Sequence, residues 1–430
     1  MEKGSSNHEI LEQLKKYLPK GCIQEGEPIP VNGKGCWYRD ADGREYLDFT
    51  SGVFTNSFGH GCEAVNRAAY GQACRLANIH GRHSEAELLF YQRLFPYLPS
   101  EDYKAIPYND GGYTIDRGLT DIINFYDRKR IGIGAFRNGF HGKTQAAKLL
   151  INETKEAALY HNFQLEFPNC YRCPYGREKG LCDMECIAEA CRILEEKEAG
   201  AVIFEPVQGA GIVIPPYEYW RLLQEFCRRR KILMFADEIL TGGGRVGCYL
   251  ASSYFGIEPD MIALTKGLAN GKPLSVLLER TFITCNSYAV RPLERASTFA
   301  AHPEALAAAA ELLRLLETER VLENVRRCGE ILGDGLLAIK ERFCSIGEVR
   351  FLGLMAAVEF VTDREKKIPY TEMGKRVFQK CRDNGLEVIP NGNILRLAPP
   401  LIIGAEDLRT GLELLEKSIA QVQELLCGLD

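Results

Sequence analysis

Short apolar runs rich in β-branched residues alternate with longer amphipathic stretches through the middle of the chain, and this alternation restricts the fold more than any other feature. The runs "IGIGAF" from Ile131 to Phe136, "AVIFEP" from Ala201, "ILMFAD" from Ile232 and "MIALT" from Met261 have the length of strands. Successive side chains of a strand point to opposite sides, so a continuous apolar run is a strand covered on both faces. Each run is reached through a helical pattern, which predicts a parallel sheet with helices on both sides. After "STFAAHPEALAAAAELLRLLE" the helices lengthen. There "GEVRFLGLMAAVEFV" and "GLEVIPNGNILRLAPP" predict a small antiparallel or mixed sheet, closed by a last helix from Glu406. The expected class is α/β, with a large domain over 61–310 and a smaller α+β domain over 311–430. The N-terminal segment 1–60, around "GKGCWYRDADGREYLDF", is expected to join the smaller domain. The chain shows no internal repeat and no long low-complexity linker.

At 430 residues and 46% hydrophobic composition, one large core and a second, smaller one can be buried. Lys and Arg number 53 against 58 Asp and Glu, a formal charge of -5 with no sustained basic stripe. That leaves a nucleic-acid or anionic-membrane partner without support. No apolar run reaches membrane-spanning length, and "MEKGSSNHEILEQLKKYL" lacks the apolar centre of a signal peptide, so a cytoplasmic location is expected. The 16 cysteines are then expected to be reduced thiols or metal ligands. Cys74, Cys227 and Cys381 stand singly in apolar surroundings and read as small core residues.

In an open parallel sheet, ligands gather at the carboxyl ends of the strands. Three ionisable residues share that edge: Glu205 after "AVIF", Asp237 after "ILMFA" and Lys266 after "MIALT". A carboxylate behind four apolar residues is costly unless paired, and a lysine is seldom buried without a partner. The stretch "FADEILTGGGRVG", with a lysine at the end of the next strand, suits a cofactor needing both an acid and a lysine. Pyridoxal phosphate uses lysine as its Schiff-base anchor, and an Asp beside the ring nitrogen keeps the ring able to take up electrons. Desolvation behind an apolar strand favours the neutral amine that the anchor requires.

The segments "NGFHGKT", "EPVQGAG", "ADEILTGGGRVG", "DMIALTKGLANGKPL", "STFAAHP" and "LRLAPPLII" stand in the order and spacing of the class III aminotransferases. This group holds the ornithine, acetylornithine and 4-aminobutyrate aminotransferases. The resemblance extends from "WYRDADGREYLDFTSG" to the C-terminal helix. It implies fold type I, with a mainly parallel seven-stranded sheet in the large domain, and a homodimer with shared active sites. It also implies roles: Lys266 as the cofactor lysine and acid/base, and Asp237 as partner of the pyridine nitrogen. Phe140 would stack on the ring with His141 beside it, and Gly111 and Gly112 would offer backbone N–H groups to the phosphate. Thr298 of the neighbouring subunit would hydrogen-bond the same phosphate. Arg396 would take a substrate carboxylate as a bidentate pair, and Phe54 in "SGVFTNSFGH" would line the substrate pocket.

The departures from the family pattern bear on chemistry. In "YNDGGYTIDRG", Asp110 replaces a small hydroxyl residue, and the expectation is that it turns away to cap the helix. Ala210 stands where a gating glutamate often pairs with the arginine, leaving Arg396 open to a carboxylate. Leu240 stands where a glutamine commonly contacts the cofactor. The insert "NCYRCPYGREKGLCDMECIAEAC" places Cys170, Cys173, Cys182 and Cys186 either as a structural thiolate site for an ion or as reduced thiols packed in a loop. The expected activity is transfer of an amino group from an amino acid or carboxylate-bearing amine to a keto acid. A reaction of the same fold without transamination (racemase, lyase or carbon–carbon bond formation) is the first rival. A non-catalytic homologue is the second, against which the retention of Lys266 and Asp237 argues.

Overall fold

The structure is a computed structural model and describes residues 5–80, 82–129, 132–151, 161–178, 180–287 and 297–427. Three N-terminal strands, β1 (Pro30–Lys34), β2 (Trp37–Asp40) and β3 (Glu45–Asp48), precede seven that form the central sheet. These are β4 (Tyr103–Tyr108), β5 (Ile133–Phe136), β6 (Asn162–Leu165), β7 (Ala201–Phe204), β8 (Leu233–Asp237), β9 (Met261–Leu264) and β10 (Ser275–Arg280). Their order is β4-β10-β9-β8-β7-β5-β6, and every pair from β9 to β6 is parallel. Strand β10 runs antiparallel to both its neighbours, which makes the sheet mixed. Strand β5, expected from Ile131, begins at Ile133; Ile131 lies outside the described residues.

The continuous apolar runs have the physical cause the pattern predicts. Val202, Phe204, Met234, Ala236, Ile262 and Leu264 enter the larger core, whereas the alternating Ala201, Ile203, Leu233, Phe235, Met261 and Ala263 enter a second core on the other face. Helix Gly111–Phe125 covers that second core with Ile115, Leu119 and Ile122, a spacing that makes one apolar stripe. It packs closely because position 118 is glycine: a Cβ there would lie 2.5 Å from Phe235 Cε1.

The C-terminal part holds β11 (Ile346–Leu352), β12 (Met355–Asp363), β13 (Ile368–Pro369), β14 (Leu386–Glu387), β15 (Ile389–Asn391) and β16 (Ile394–Leu397). Strands β11-β12-β16-β15 form an antiparallel sheet with β13 on β12. Helices Val321–Arg342 and Thr371–Asp383 pack on it, and both pack against the last helix, Ala405–Cys427. Strand β14 leaves this sheet and pairs in parallel with β3, so the N-terminal strands form a four-stranded sheet with a C-terminal one. Cys227 and Cys381 are buried, but Cys74 is exposed. The buried stripe of its helix, Glu63–Arg75, runs through Val65 and Ala69, and Cys74 is half a turn away from Val65. Among the described residues no helix is long and apolar enough to cross a membrane.

Candidate active site

Strands β7, β8 and β9 are consecutive in the sheet, so the residues at their carboxyl ends are neighbours. They open into a cavity of about 850 Å³ whose wall includes Glu205, Asp237, Lys266 and, from β16, Arg396. Asp237 is 3% exposed; its Oδ2 lies 2.8 Å from His141 Nδ1 and its Oδ1 accepts from the N–H of Ile239 at 3.1 Å. Burial works to lower the His141 pKa, but the hydrogen bond and charge of Asp237 outweigh it and hold His141 above its ordinary value. The same contact fixes the Asp237 carboxylate against the imidazole at the cavity wall.

Glu205 is buried and binds backbone on both oxygens, accepting from Phe140 N at 3.1 Å and Gly209 N at 3.0 Å. It therefore ties the loop after β5 to the loop after β7. Burial pushes its carboxyl up to about 7, with the Asp237 charge adding to the effect. Lys266 is lowered by burial, against the opposing pull of Asp237 and Glu205. Its φ of 40° is in the left-handed region, uncommon for a side chain of this size, and such strain concentrates at functional positions. Arg396 is likewise lowered by burial. Its Nη1 donates to the carbonyl of Gly209 at 3.0 Å, and its buried Nε has no partner among the described residues.

At the other end of the cavity, Gly111 and Gly112 begin helix Gly111–Phe125. Among the described residues neither N–H has an acceptor, as expected of the first turn of a helix. The Asp110 carboxylate caps this helix, accepting from Tyr113 N at 3.1 Å, as the sequence suggested. Lys143 and Thr144 complete this wall. They were not singled out in the sequence, although they directly follow the "NGFHG" segment. Phe140 leaves 49% of its surface exposed on the cavity wall. Leu240 and Ala210 also lie there.

One expected pocket residue, Phe54, lies elsewhere, and Thr298 was expected at the neighbouring subunit's site. Phe54 is 2% exposed, with the buried Arg245 guanidinium 5.3 Å from its ring centre, so it belongs to the core and not to the substrate pocket. Positive φ values from Ser51 to Phe54 turn the chain here, and Val53 and Thr55 are the ones that reach the cavity. Thr298 is exposed and off the wall of its own chain's cavity; its carbonyl accepts from Asn78 Nδ2 at 3.0 Å. The four insert cysteines are half-buried thiols. Burial pushes Cys186 up to about 11, with Cys170, Cys182 and Cys173 adding to it. Among the described residues no group of three or more His, Cys, Asp or Glu side chains is arranged to hold a metal ion.

The residues present fit pyridoxal phosphate. Unpaired N–H groups at a helix start suit a phosphate, the exposed Phe140 ring suits a flat ring, and a buried carboxylate and a lowered lysine share the cavity wall. Comparison with known proteins agrees. The family Aminotransferase class-III matches residues 24–419. The chain is 32% identical to a leucine/methionine racemase from Thermococcus litoralis, over 97% of this chain and 96% of that one. It is also 32% identical to an adenosylmethionine-8-amino-7-oxononanoate aminotransferase from Geobacter sulfurreducens, over 93% of each. An amine transaminase from an uncultivated Pseudomonas species, in its PLP-bound form, superposes with a TM-score of 0.85 at 28% identity, covering 94% of this chain and 98% of that one. The chain belongs to the class-III aminotransferase family, as a pyridoxal phosphate-dependent enzyme of its α/β fold.

Proposed function

We propose that the protein transfers the amino group of an amino acid or other carboxylate-bearing amine to a keto acid, as a cytoplasmic homodimer. The observation that carries the reading is the meeting in one cavity of Lys266, the Asp237–His141 pair and an Arg396 whose Nε is unengaged. When bound, pyridoxal phosphate supplies an electron sink for the bond broken at the substrate carbon. Asp237, held in place by His141, would hold the proton on the ring nitrogen. Arg396 would fix the substrate through its carboxylate, using the Nε that Gly209 leaves free. Lys266, with its proton affinity lowered by burial, would remove the proton from the substrate carbon and deliver it to the cofactor carbon two atoms along. The Gly111 and Gly112 N–H groups would hold the phosphate, completed by Thr298 of a second subunit.

A second reading is racemisation, in which Lys266 returns the proton to the carbon it came from. Two observations favour it: a racemase and an aminotransferase are equally similar to this chain, and Asp110 puts a carboxylate at the phosphate end of the cavity. An aminotransferase must retain its cofactor by the phosphate alone midway through its cycle, when no covalent bond to Lys266 exists. Mixing the enzyme with an amino substrate and no keto acceptor separates the two. One equivalent of keto product, with the cofactor left in its amine form, supports transamination. Inversion of the substrate over many turnovers, with the starting spectrum restored, establishes the second reading instead.

A further inference from the structure

A second cavity, of about 1060 Å³, lies away from the cofactor end of the sheet, between the cysteine-bearing loop after β6, the segment Val213–Tyr217 and strand β11. Its floor is a buried ionic group. Glu359 is 2% exposed and receives Arg350 Nη1 at 2.7 Å on one oxygen and Arg172 Nε at 2.6 Å on the other. Two guanidiniums thus share one carboxylate, and Lys367 stands beside them with its Nζ 4.8 Å from the centre of the Tyr171 ring and 2.6 Å from the Tyr171 carbonyl. The remaining basic residues on the wall are locally matched, Arg177 by Glu185 and Lys366 by Asp363. Glu178 and Glu348 are on the wall too, and Glu348 offsets one charge of the floor. Arg172, Arg350 and Lys367 are therefore matched in number by Glu359, Glu348 and Glu178, and charge of both signs gathers at the floor.

Hydrogen bonding at this floor is also incomplete. Arg350 is 8% exposed, and its Nη2 has no partner among the described residues. The Tyr171 hydroxyl on the same wall is buried without one as well. Buried donors without acceptors are costly, and two such donors beside three cationic side chains are what the acceptor oxygens of an anion would relieve. The lining also carries apolar residues, Val213, Ile214, Pro215 and Pro216 with Phe255 and Phe351. We propose that this cavity is a second ligand site, taking a small organic anion with a carboxylate or phosphate head on the Arg350–Tyr171–Lys367 side and an apolar body against the Ile214 side. The site is tied to the catalytic cavity. Arg350 Nε donates to the carbonyl of Gly211 at 3.0 Å, Asn391 Nδ2 to that of Ala210, and Arg396 Nη1 to that of Gly209 at 3.0 Å. Three adjacent carbonyls of one loop are therefore held by Arg350 of the anion site and by Asn391 and Arg396 of the catalytic cavity. This site is independent of which reaction the catalytic cavity performs.

Calorimetric titration of the cofactor-loaded enzyme tests the proposal, with phenyl phosphate, benzoate and inorganic phosphate as probes. Saturable binding of phenyl phosphate or benzoate is expected, tighter than that of inorganic phosphate because only the organic anions reach the apolar lining. The Lys367→Gln variant removes one charge, keeps a donor for the Tyr171 carbonyl and lies outside the catalytic cavity. It should bind about tenfold more weakly, with basal turnover unchanged. A Lys366→Gln/Lys367→Gln pair should weaken binding further, and a wild-type melting profile will show that either variant is folded. Failure of both organic anions to bind the wild type at millimolar concentration overturns the proposal. Equal affinity of wild type and both variants overturns it too, because the anion would then be sitting elsewhere. Binding of inorganic phosphate as tight as that of phenyl phosphate overturns the role of the apolar lining.

Discussion

At the residue scale, the site is governed by what burial does to charge. Arg396 is the clearest test of substrate class. Loss of a charge-assisted pair in a site of this kind costs about 1.5–3 kcal/mol. Arg396→Ala should therefore raise KM for carboxylate-bearing substrates about 10- to 100-fold, with much less effect on simple amines. Equal effects in steady-state assays of both classes would remove the carboxylate role. Glu205 provides a pH test. Its carboxyl is raised from an ordinary 4.5 to about 7 by burial, so the folded protein holds a proton there that the unfolded chain has released. The stabilisation this allows is fully present below about 4.5 and is lost as pH rises through about 7. Relative to Glu205→Gln, the wild type should lose on the order of 2–3 kcal/mol between about pH 5 and about pH 8. Urea midpoints of both proteins across that range measure it; parallel curves would mean that Glu205 is not raised. Lys266, Asp237 and Glu205 were legible in the sequence because an ionisable group directly behind an apolar strand has few inexpensive places to go. His141 could be placed only by resemblance, since nothing in its local sequence shows that Asp237, 96 residues away, is its partner.

At the element scale, helix Gly111–Phe125 does two jobs: its first turn faces the cofactor cavity and its apolar stripe seals one face of the sheet. Gly118 lies where these meet. In an exposed helix, Gly→Ala would gain up to about 1 kcal/mol in helix propensity. Here the new Cβ would lie 2.5 Å from Phe235 Cε1, and overpacking of a core costs about 1–3 kcal/mol. The second effect should win, so Gly118→Ala is expected to lower Tm by several degrees. Cofactor affinity should fall as well, because the helix start moves with the stripe. An unchanged or raised Tm would show that Phe235 has room to turn. Strands β5, β7, β8 and β9 could be read from their apolar runs and the start of this helix from the resemblance, whereas the reversal of β10 could not. Val276 and Leu278 enter one core and Leu277 the other, as the parallel neighbours do, and strand direction leaves no mark on such a pattern.

At the scale of the whole molecule, Thr298 is the residue whose proposed role depends on a second copy. It is exposed and absent from its own chain's cavity wall, so Thr298→Val should leave the isolated fold intact. If the phosphate is held from the neighbouring subunit, the variant should bind pyridoxal phosphate about tenfold more weakly, in line with one lost hydrogen bond to a charged group. Unchanged affinity in a fluorescence titration would exclude the shared cup. The sequence by itself determined the α/β class, the edge of the sheet where the chemistry lies and the cofactor that suits it. All three follow from local rules: strand period, apolar continuity and the cost of charge behind an apolar strand. Only the tertiary structure decided that Phe54 packs under Arg245 while Val53 reaches the cavity. It alone decided, too, that β14 crosses to pair with β3, and that Arg350, Asn391 and Arg396 hold three adjacent carbonyls of one loop. Those outcomes depend on which distant groups come within reach of one another, and hydrogen bonds and ring contacts between residues far apart in the chain leave no periodic trace in it.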